Sequence, residues 1–396
     1  MLKQAVFLVG GLGTRLKDRT SATPKPLLEV GGRPFLDYLL NEASRHGFDD
    51  ILLLAGHFGQ QVAQAYDGRD WRGARIKVLC EPEPLGTGGA LRFALPHLAE
   101  RFLLANGDSF FDINLRALPL ILPEGGMAMA LRNVAGDRYG RVTFRDGWVR
   151  SFHAPEEGVD GPINGGIYAL DRRVAQSIPQ GKVSLEGEIF PALAGQGRIQ
   201  GRAFDGYFID IGIPADFERA QVELPRRVRR PAVFFDRDGV LNRDIGYLHR
   251  PDEVEWLEGA QAAVRLCNDA GYFVFVVTNQ AGVARGYYGE KDVLSLHAWM
   301  NGELARQGAH VDAFEYCPHH PDGAEGPYRR CCRRRKPEPG MLLDLLAHWP
   351  VDKEASFLVG NMQSDLDAAA GAGVKAHLYQ GGDLADFVAK RLTGGA

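Results

Sequence analysis

The sequence has little that would send it out of the cell or onto a charged polymer. No basic leader with an apolar run and a small-residue cleavage site opens the chain, so a cytoplasmic protein is expected. A formal charge of -4 supplies no footprint for nucleic acid. The first apolar run, QAVFLV, is too short to span a membrane, and no membrane contact is expected. Cysteine is scarce, with five residues clustered late, an odd count that suits a reducing compartment better than a disulfide framework. What is present is ordinary: 45% apolar and 24% charged residues describe a globular protein. Its 396 residues exceed one usual core, so two domains are expected.

Apolar runs alternate with helical patterns twice. In the first half AVFLV, FLDYLLNEASRHG, DILLLA, GGALRFALPHLAERF and FLLANGD predict a wound α/β layer with a mostly parallel sheet. The basic, Pro-flanked RAQVELPRRVRRP interrupts the pattern, and its PRRVRR is read as solvated linker rather than a nucleic-acid patch. A second alternation follows: AVFFD, GAQAAVRLCNDAG, YFVFVVTNQ, KDVLSLHAWMNGELARQG, FLVGN and a final helix. The expected division is residues 1–220, a linker over 221–231, and 232–396, each half a doubly wound α/β domain.

The first strand runs into GGLGTRLKDRTSATPKPLLEVGG. A strand, a Gly-rich turn and Arg15 would surround one anionic group with backbone N–H groups and a guanidinium, as triphosphate chemistry requires. This stretch resembles the sugar nucleotidyltransferase superfamily, and the resemblance continues through EPEPLGTGGAL, LLANGDSFFD, RYGRV, GPINGGIYAL, SLEGE and YFIDIGIP. It implies attack of a sugar 1-phosphate on a nucleoside triphosphate with release of pyrophosphate. Such a reaction asks for a metal and cations but no protein nucleophile. By that resemblance Gly10, Gly11, Gly13 and Thr14 hold the nucleotide, Arg15 and Lys25 are the cations, and Asp108 and Asp210 are hard magnesium ligands. Tyr139, Gly140, Asn164, Gly165 and Glu186 match sugar contacts. Gly86, Thr87 and Gly88 match a segment whose glycines let the backbone approach the base.

Within the superfamily the likeness is to heptose 1-phosphate guanylyltransferases. Glu81 suits a guanine reader, because a carboxylate can accept from both N1–H and N2–H, whereas many uridylyl and thymidylyl relatives carry Gln there. Relatives commonly read FxEK and SLEK where this chain reads FHAPEE and SLEGE. Either lost lysine could bind the sugar phosphate, so Arg138 or Lys182 would have to substitute.

In the second half, FFDRDGVLN places Asp236 and Asp238 two residues apart at a strand end, so both side chains point the same way, one able to attack and one able to move protons. With VFVVTNQAGVARG, RRRKPEPGM and FLVGNMQSDLDAAAGAG it resembles the haloacid dehalogenase superfamily. The resemblance makes Asp236 the nucleophile that forms an aspartyl-phosphate and Asp238 the acid and base. Thr278 and Lys336 hold the phosphoryl group, with Asn279 and Arg335 beside them as substrate contacts. Magnesium would be held by the Asp236 carboxylate, the Asp238 carbonyl and Asn361, an Asn where relatives have Asp, with Asp365 available to compensate. CPHHPDG and RKPEPGM resemble heptose 1,7-bisphosphate 7-phosphatases and histidinol-phosphate phosphatases, and imply a loop zinc on Cys317, His319, Cys331 and Cys332.

Two consecutive steps are expected: removal of the 7-phosphate from a heptose 1,7-bisphosphate, then transfer of GMP from GTP to the heptose 1-phosphate. The alternatives are a nucleotidyltransferase for another sugar 1-phosphate or another base (UTP, CTP or dTTP) fused to a histidinol-phosphate-like phosphatase, or one half acting as a non-catalytic phosphosugar sensor. Small molecules are the expected partners, and the sequence is silent on oligomeric state.

Overall fold

The computed structural model describes residues 2–11, 16, 23–134, 139–155, 160–324 and 326–392. Gly13, Thr14, Arg15 and Arg138 therefore lie outside the described residues. The chain divides into two compact units, Leu2–Arg227 and a second beginning at Val228.

In the first unit the apolar runs become strands Gln4–Leu8, Asp50–Ala55, Ala74–Cys80 and Arg101–Asn106, all mutually parallel in the order Arg101–Asn106, Gln4–Leu8, Asp50–Ala55, Ala74–Cys80. The runs are near-continuous because helices cover both faces of parallel strands. Helix Phe35–Arg45 shows the matching stripe, burying Phe35, Leu36, Leu39, Leu40 and Ala43. Beyond Arg101–Asn106 the sheet changes character. Gly161–Asp171 joins antiparallel, then Met127–Val134, Ile199–Phe204 and the hairpin Arg141–Arg145/Trp148–His153. That hairpin turns on Asp146 and Gly147, with φ of 52° and 79°, the pair of positive values a type I′ turn needs. The α/β expectation holds, but the parallel winding covers only part of this sheet.

The expected linker is shorter than 221–231. Helix Pro214–Arg227 runs through its first seven residues, burying Phe217, Ala220 and Leu224. Gln221 Nε2 donates to Glu29 O at 2.7 Å, and Pro225 fills the space a Cβ on Gly31 would take. The Pro-flanked basic text is thus mostly the polar face of a docked helix.

The second unit holds one parallel sheet in the order Ala313–Cys317, Phe273–Asn279, Ala232–Phe235, Phe357–Gly360, Lys375–Leu378. Alternate residues feed two cores: Val233, Phe235, Val274 and Val276 on one face, Ala232, Phe234, Phe273, Phe275 and Val277 on the other. After FLVGN the chain adds helix Gln363–Ala372, strand Lys375–Leu378 and helix Leu384–Leu392, one strand and one helix more than expected. Gly10, Glu81, Asp108, Asp236, Thr278 and Asn361 lie at or just after the carboxyl ends of parallel strands, where open α/β sheets leave a crevice, whereas Asn164, Gly165 and Asp210 lie on antiparallel strands.

Candidate active sites

A cavity of about 380 Å³ opens at the strand ends of the first unit. It gathers Gly10 and Gly11 after Gln4–Leu8, Glu81 after Ala74–Cys80, Asp108 after Arg101–Asn106, and Lys25, Gly86, Thr87, Lys182 and Glu186. Lys25 Nζ lies 2.7 Å from Asp108 Oδ2. Glu81 Oε2 accepts from Leu85 N at 3.0 Å, and burial pushes its carboxyl above the usual range. Thr87 ties two segments together, donating to Glu186 Oε2 at 2.9 Å and accepting from Leu185 N at 2.8 Å.

The glycines of the 86–89 helix start also make room for another segment of the chain. A Cβ on Gly86 would lie 2.6 Å from Val183 O, one on Gly88 3.0 Å from Val183 Cγ1, and one on Gly89 2.3 Å from Gly181 O. That space is taken by the 181–183 turn, which Gly88 N and Leu85 O fix through Val183 at 2.9 Å each. The close approach is between two pieces of backbone, and it presents Lys182 to the cavity. Lys182 makes no ion pair with a described residue, whereas Lys25 is already paired.

Other expected residues stand outside the described lining. Asp210 sits beside Asp108 through a short ribbon in which it pairs with Ser109 and Ile211 N donates to Asp108 O at 3.0 Å. Its Oδ1 accepts from Gly212 N at 2.7 Å. Asn164 is used internally, donating to Tyr168 at 2.7 Å and accepting from Gly166 N at 3.0 Å. Tyr139 packs edge-on against Phe208, and a Cβ on Gly140 would lie 2.7 Å from His153 O. Gly165 is closed in by Phe111, whose ring would be 2.7 Å from a Cβ there.

The second unit brings its expected residues together in a buried network. Lys336 Nζ lies 2.8 Å from Asp236 Oδ1 and 2.6 Å from Asp365 Oδ1, and donates to Val277 O at 2.9 Å. Burial pushes the Asp236 carboxyl up to about 6, against the pull of Lys336 and with the push of Asp365. Burial opposes the Lys336 charge, yet Asp236 and Asp365 hold its pKa above the ordinary value. Asn279 fixes the Lys336 backbone with two reciprocal bonds of 3.0 and 3.1 Å, and Thr278 Oγ1 accepts from Gln280 at 2.9 Å.

The sequence reading missed the residues that hold Asp238. Its carboxylate accepts from Arg237 Nε and Nη2 at 3.1 and 2.9 Å, from Asn242 at 2.9 Å and from Gln280 at 3.1 Å. Arg237 is fully buried, bonds Leu248 O at 3.0 Å, and faces His297 Nε2 at 3.3 Å. Burial, helped by Arg237, drops the His297 imidazole to about 3, so it stays neutral beside the guanidinium. Next to Lys336 in the chain stands Arg335, and within its electrostatic reach is a residue the sequence reading does not name, Arg285. Neither makes an ion pair with a described carboxylate; Arg335 donates to His319 O at 3.2 Å, Arg285 Nε is buried without a partner, and Arg285 acts on Arg335 as a like charge.

Cys317, His319 and Cys332 place three ligand atoms within 4.8 Å of one another. Cys331 is not with them: it is exposed, whereas Cys332 packs on the core, because neighbouring side chains in non-helical chain diverge. The expected four-residue cluster is thus three residues here. Thiol and imidazole ligands suit zinc, and the all-oxygen sets at Asp108/Asp210 and Asp236/Asn361 suit magnesium; Asn361 Oδ1 is buried with no donor. Among the described residues no helix is long and apolar enough to cross a membrane.

A nucleotidyl transferase family model matches residues 4–227, and a HAD-hydrolase-like model matches 333–390. Over 164 residues the chain is 48% identical to a D-glycero-beta-D-manno-heptose-1,7-bisphosphate 7-phosphatase of Rhodopseudomonas palustris, covering 41% of this chain and 91% of that one. The chain belongs to both families. A phosphatase of the same description from Haemophilus influenzae is 40% identical over 166 residues, 40% of this chain and 90% of that one. The first unit is similar to HddC from Yersinia pseudotuberculosis, solved in complex with GMP-PN: 29% identity, TM-score 0.51, 56% of this chain and all of the other. The protein is a bifunctional enzyme, a nucleotidyltransferase joined to a phosphatase.

Proposed function

We propose that the second unit hydrolyses the 7-phosphate of D-glycero-D-manno-heptose 1,7-bisphosphate and that the first couples the resulting 1-phosphate to GMP from GTP, releasing pyrophosphate. The observation that carries this reading is the joining, on one chain, of a unit similar to heptose bisphosphate phosphatases and one similar to a protein that binds a guanine nucleotide.

In the phosphatase site Asp236 attacks phosphorus, the P–O bond to C7 breaks, and Asp238 gives a proton to the leaving oxygen. Asp238 then takes a proton from water, which frees Asp236 from its acyl phosphate. Lys336, Thr278 and Asn279 border the position of the transferring group. A magnesium ion held by Asp236, the Asp238 carbonyl and Asn361 would neutralise charge on that group. Arg285 and Arg335, lacking carboxylate partners, suit the second phosphate of a bisphosphate.

In the transferase site the oxygen of the sugar 1-phosphate displaces pyrophosphate from the α-phosphorus. Lys25 offsets charge there, Asp108 and Asp210 would hold magnesium, and Lys182 takes the place of the missing sugar-phosphate lysines. Glu81, in the cavity, accepts from guanine. Zinc on Cys317, His319 and Cys332 would brace the loop leading to Arg335. The test is product analysis by mass with each nucleoside triphosphate and heptose 1-phosphate. GDP-heptose is expected as the dominant product, and a UDP- or dTDP-sugar would overturn the guanylyl assignment.

A further inference from the structure

We infer that the phosphatase site binds its divalent cation and the substrate phosphate as mutually dependent partners, because Asn361 leaves the protein alone too little negative charge to hold the cation well. The inference rests on the phosphatase chemistry of this unit and not on which sugar is dephosphorylated.

The charge count follows from the ion pairs. Lys336 contacts both Asp236 and Asp365, and Arg237 contacts Asp238. Three carboxylates against two cations leave at most one net negative charge in the network, and none while Asp238 carries the proton it gives to the leaving oxygen. Lys336 Nζ lies at ion-pair distance from both Asp236 and Asp365 and donates to Val277 O, so the buried lysine is held close to the nucleophile. Asp365 does not compensate for Asn361: it is buried against Lys336, and its other oxygen accepts from Met362 N at 2.9 Å.

Asn361 itself is seated to serve as a neutral oxygen ligand. Gly239, at φ +83°, has no Cβ, and one built there would lie 2.2 Å from Asn361 Nδ2. The amide therefore packs on the turn that follows Asp238, while its Oδ1 is buried without a donor. A divalent cation on this site gives a net positive centre, and a phosphate dianion restores the balance. Opposite charges a few ångströms apart in a partly desolvated site attract strongly, so each should raise the other's affinity by the same factor.

The test is calorimetric titration of the full chain with Mg²⁺, with and without inorganic phosphate. Asp108→Ala and Asp210→Ala are built in, so that the transferase site does not report. Phosphate should tighten Mg²⁺ binding by roughly tenfold or more, and Asn361→Asp should tighten it by a similar factor without phosphate while reducing the phosphate effect. A second measurement needs no change at position 361: phosphate titrated with and without Mg²⁺ must give the same factor. Mg²⁺ affinity indifferent to phosphate, or unaltered by Asn361→Asp, would overturn the inference. Failure of the heptose reading would show elsewhere, as no phosphate release from the bisphosphate.

Discussion

The two active sites solve charge in opposite ways. Among the described residues the transferase cavity holds the Lys25–Asp108 ion pair and a Lys182 with no carboxylate partner, beside a Gly-rich stretch whose Arg15 lies outside them. The phosphatase site is dense and buried, with Asp236, Asp238, Asp365, Arg237 and Lys336 interlocked before any substrate arrives. The difference follows from the chemistry. A direct displacement between two substrates needs positioning and charge that the substrates themselves complete, whereas covalent catalysis needs a nucleophile kept in place.

If the sites are independent, single changes should separate them. Asp236→Asn should lower phosphate release by several orders of magnitude and leave pyrophosphate release unchanged, because Asp236 is the proposed nucleophile and serves only the second unit. Loss of both activities in a folded variant would break the comparison. Asp108→Ala should do the reverse, lowering pyrophosphate release by about a hundredfold or more with phosphate release intact.

Smaller changes sharpen the picture of the transferase site. Lys182→Ala should raise KM for the sugar 1-phosphate by roughly ten- to a hundredfold, the worth of a charge-assisted bond, with KM for GTP little changed. An equal effect on both substrates would move Lys182 to the triphosphate. Glu81→Gln should narrow the preference for GTP over UTP by roughly five- to a hundredfold, because an amide accepts from one guanine donor and leaves the other unpaired, at about 1–3 kcal/mol. An unchanged preference would assign base reading to the backbone. The smallest expected effect concerns the loop: elemental analysis should find one zinc per chain, retained in Cys331→Ser and lost in Cys332→Ser. Retention in both would exclude Cys332 as a ligand.

Much of this was legible because the motifs lie at strand ends and the runs that precede them are buried on both faces. The apolar runs leading to Asp236, Thr278 and Asn361 read directly as strands. What escaped was set by tertiary contact. Arg237 lies between two motif aspartates, and nothing in DRDGV says that it is buried on His297 and Leu248. The use of Gly86, Gly88 and Gly89 depends on a turn almost a hundred residues away. Adjacent Cys331 and Cys332 look equivalent in sequence, and only the fold separates them. The Asp146-Gly147 turn was a readable signal for the antiparallel part of the first sheet.

On the proposed function, one chain performs two steps in a fixed order. That order is tested most directly by giving the purified protein D-glycero-D-manno-heptose 1,7-bisphosphate and GTP together and following phosphate, pyrophosphate and sugar products in time. Phosphate should appear first, heptose 1-phosphate should rise and then fall, and pyrophosphate should match GDP-heptose. Nucleotide transfer to the intact bisphosphate, or phosphate release with no GDP-heptose, would contradict the account.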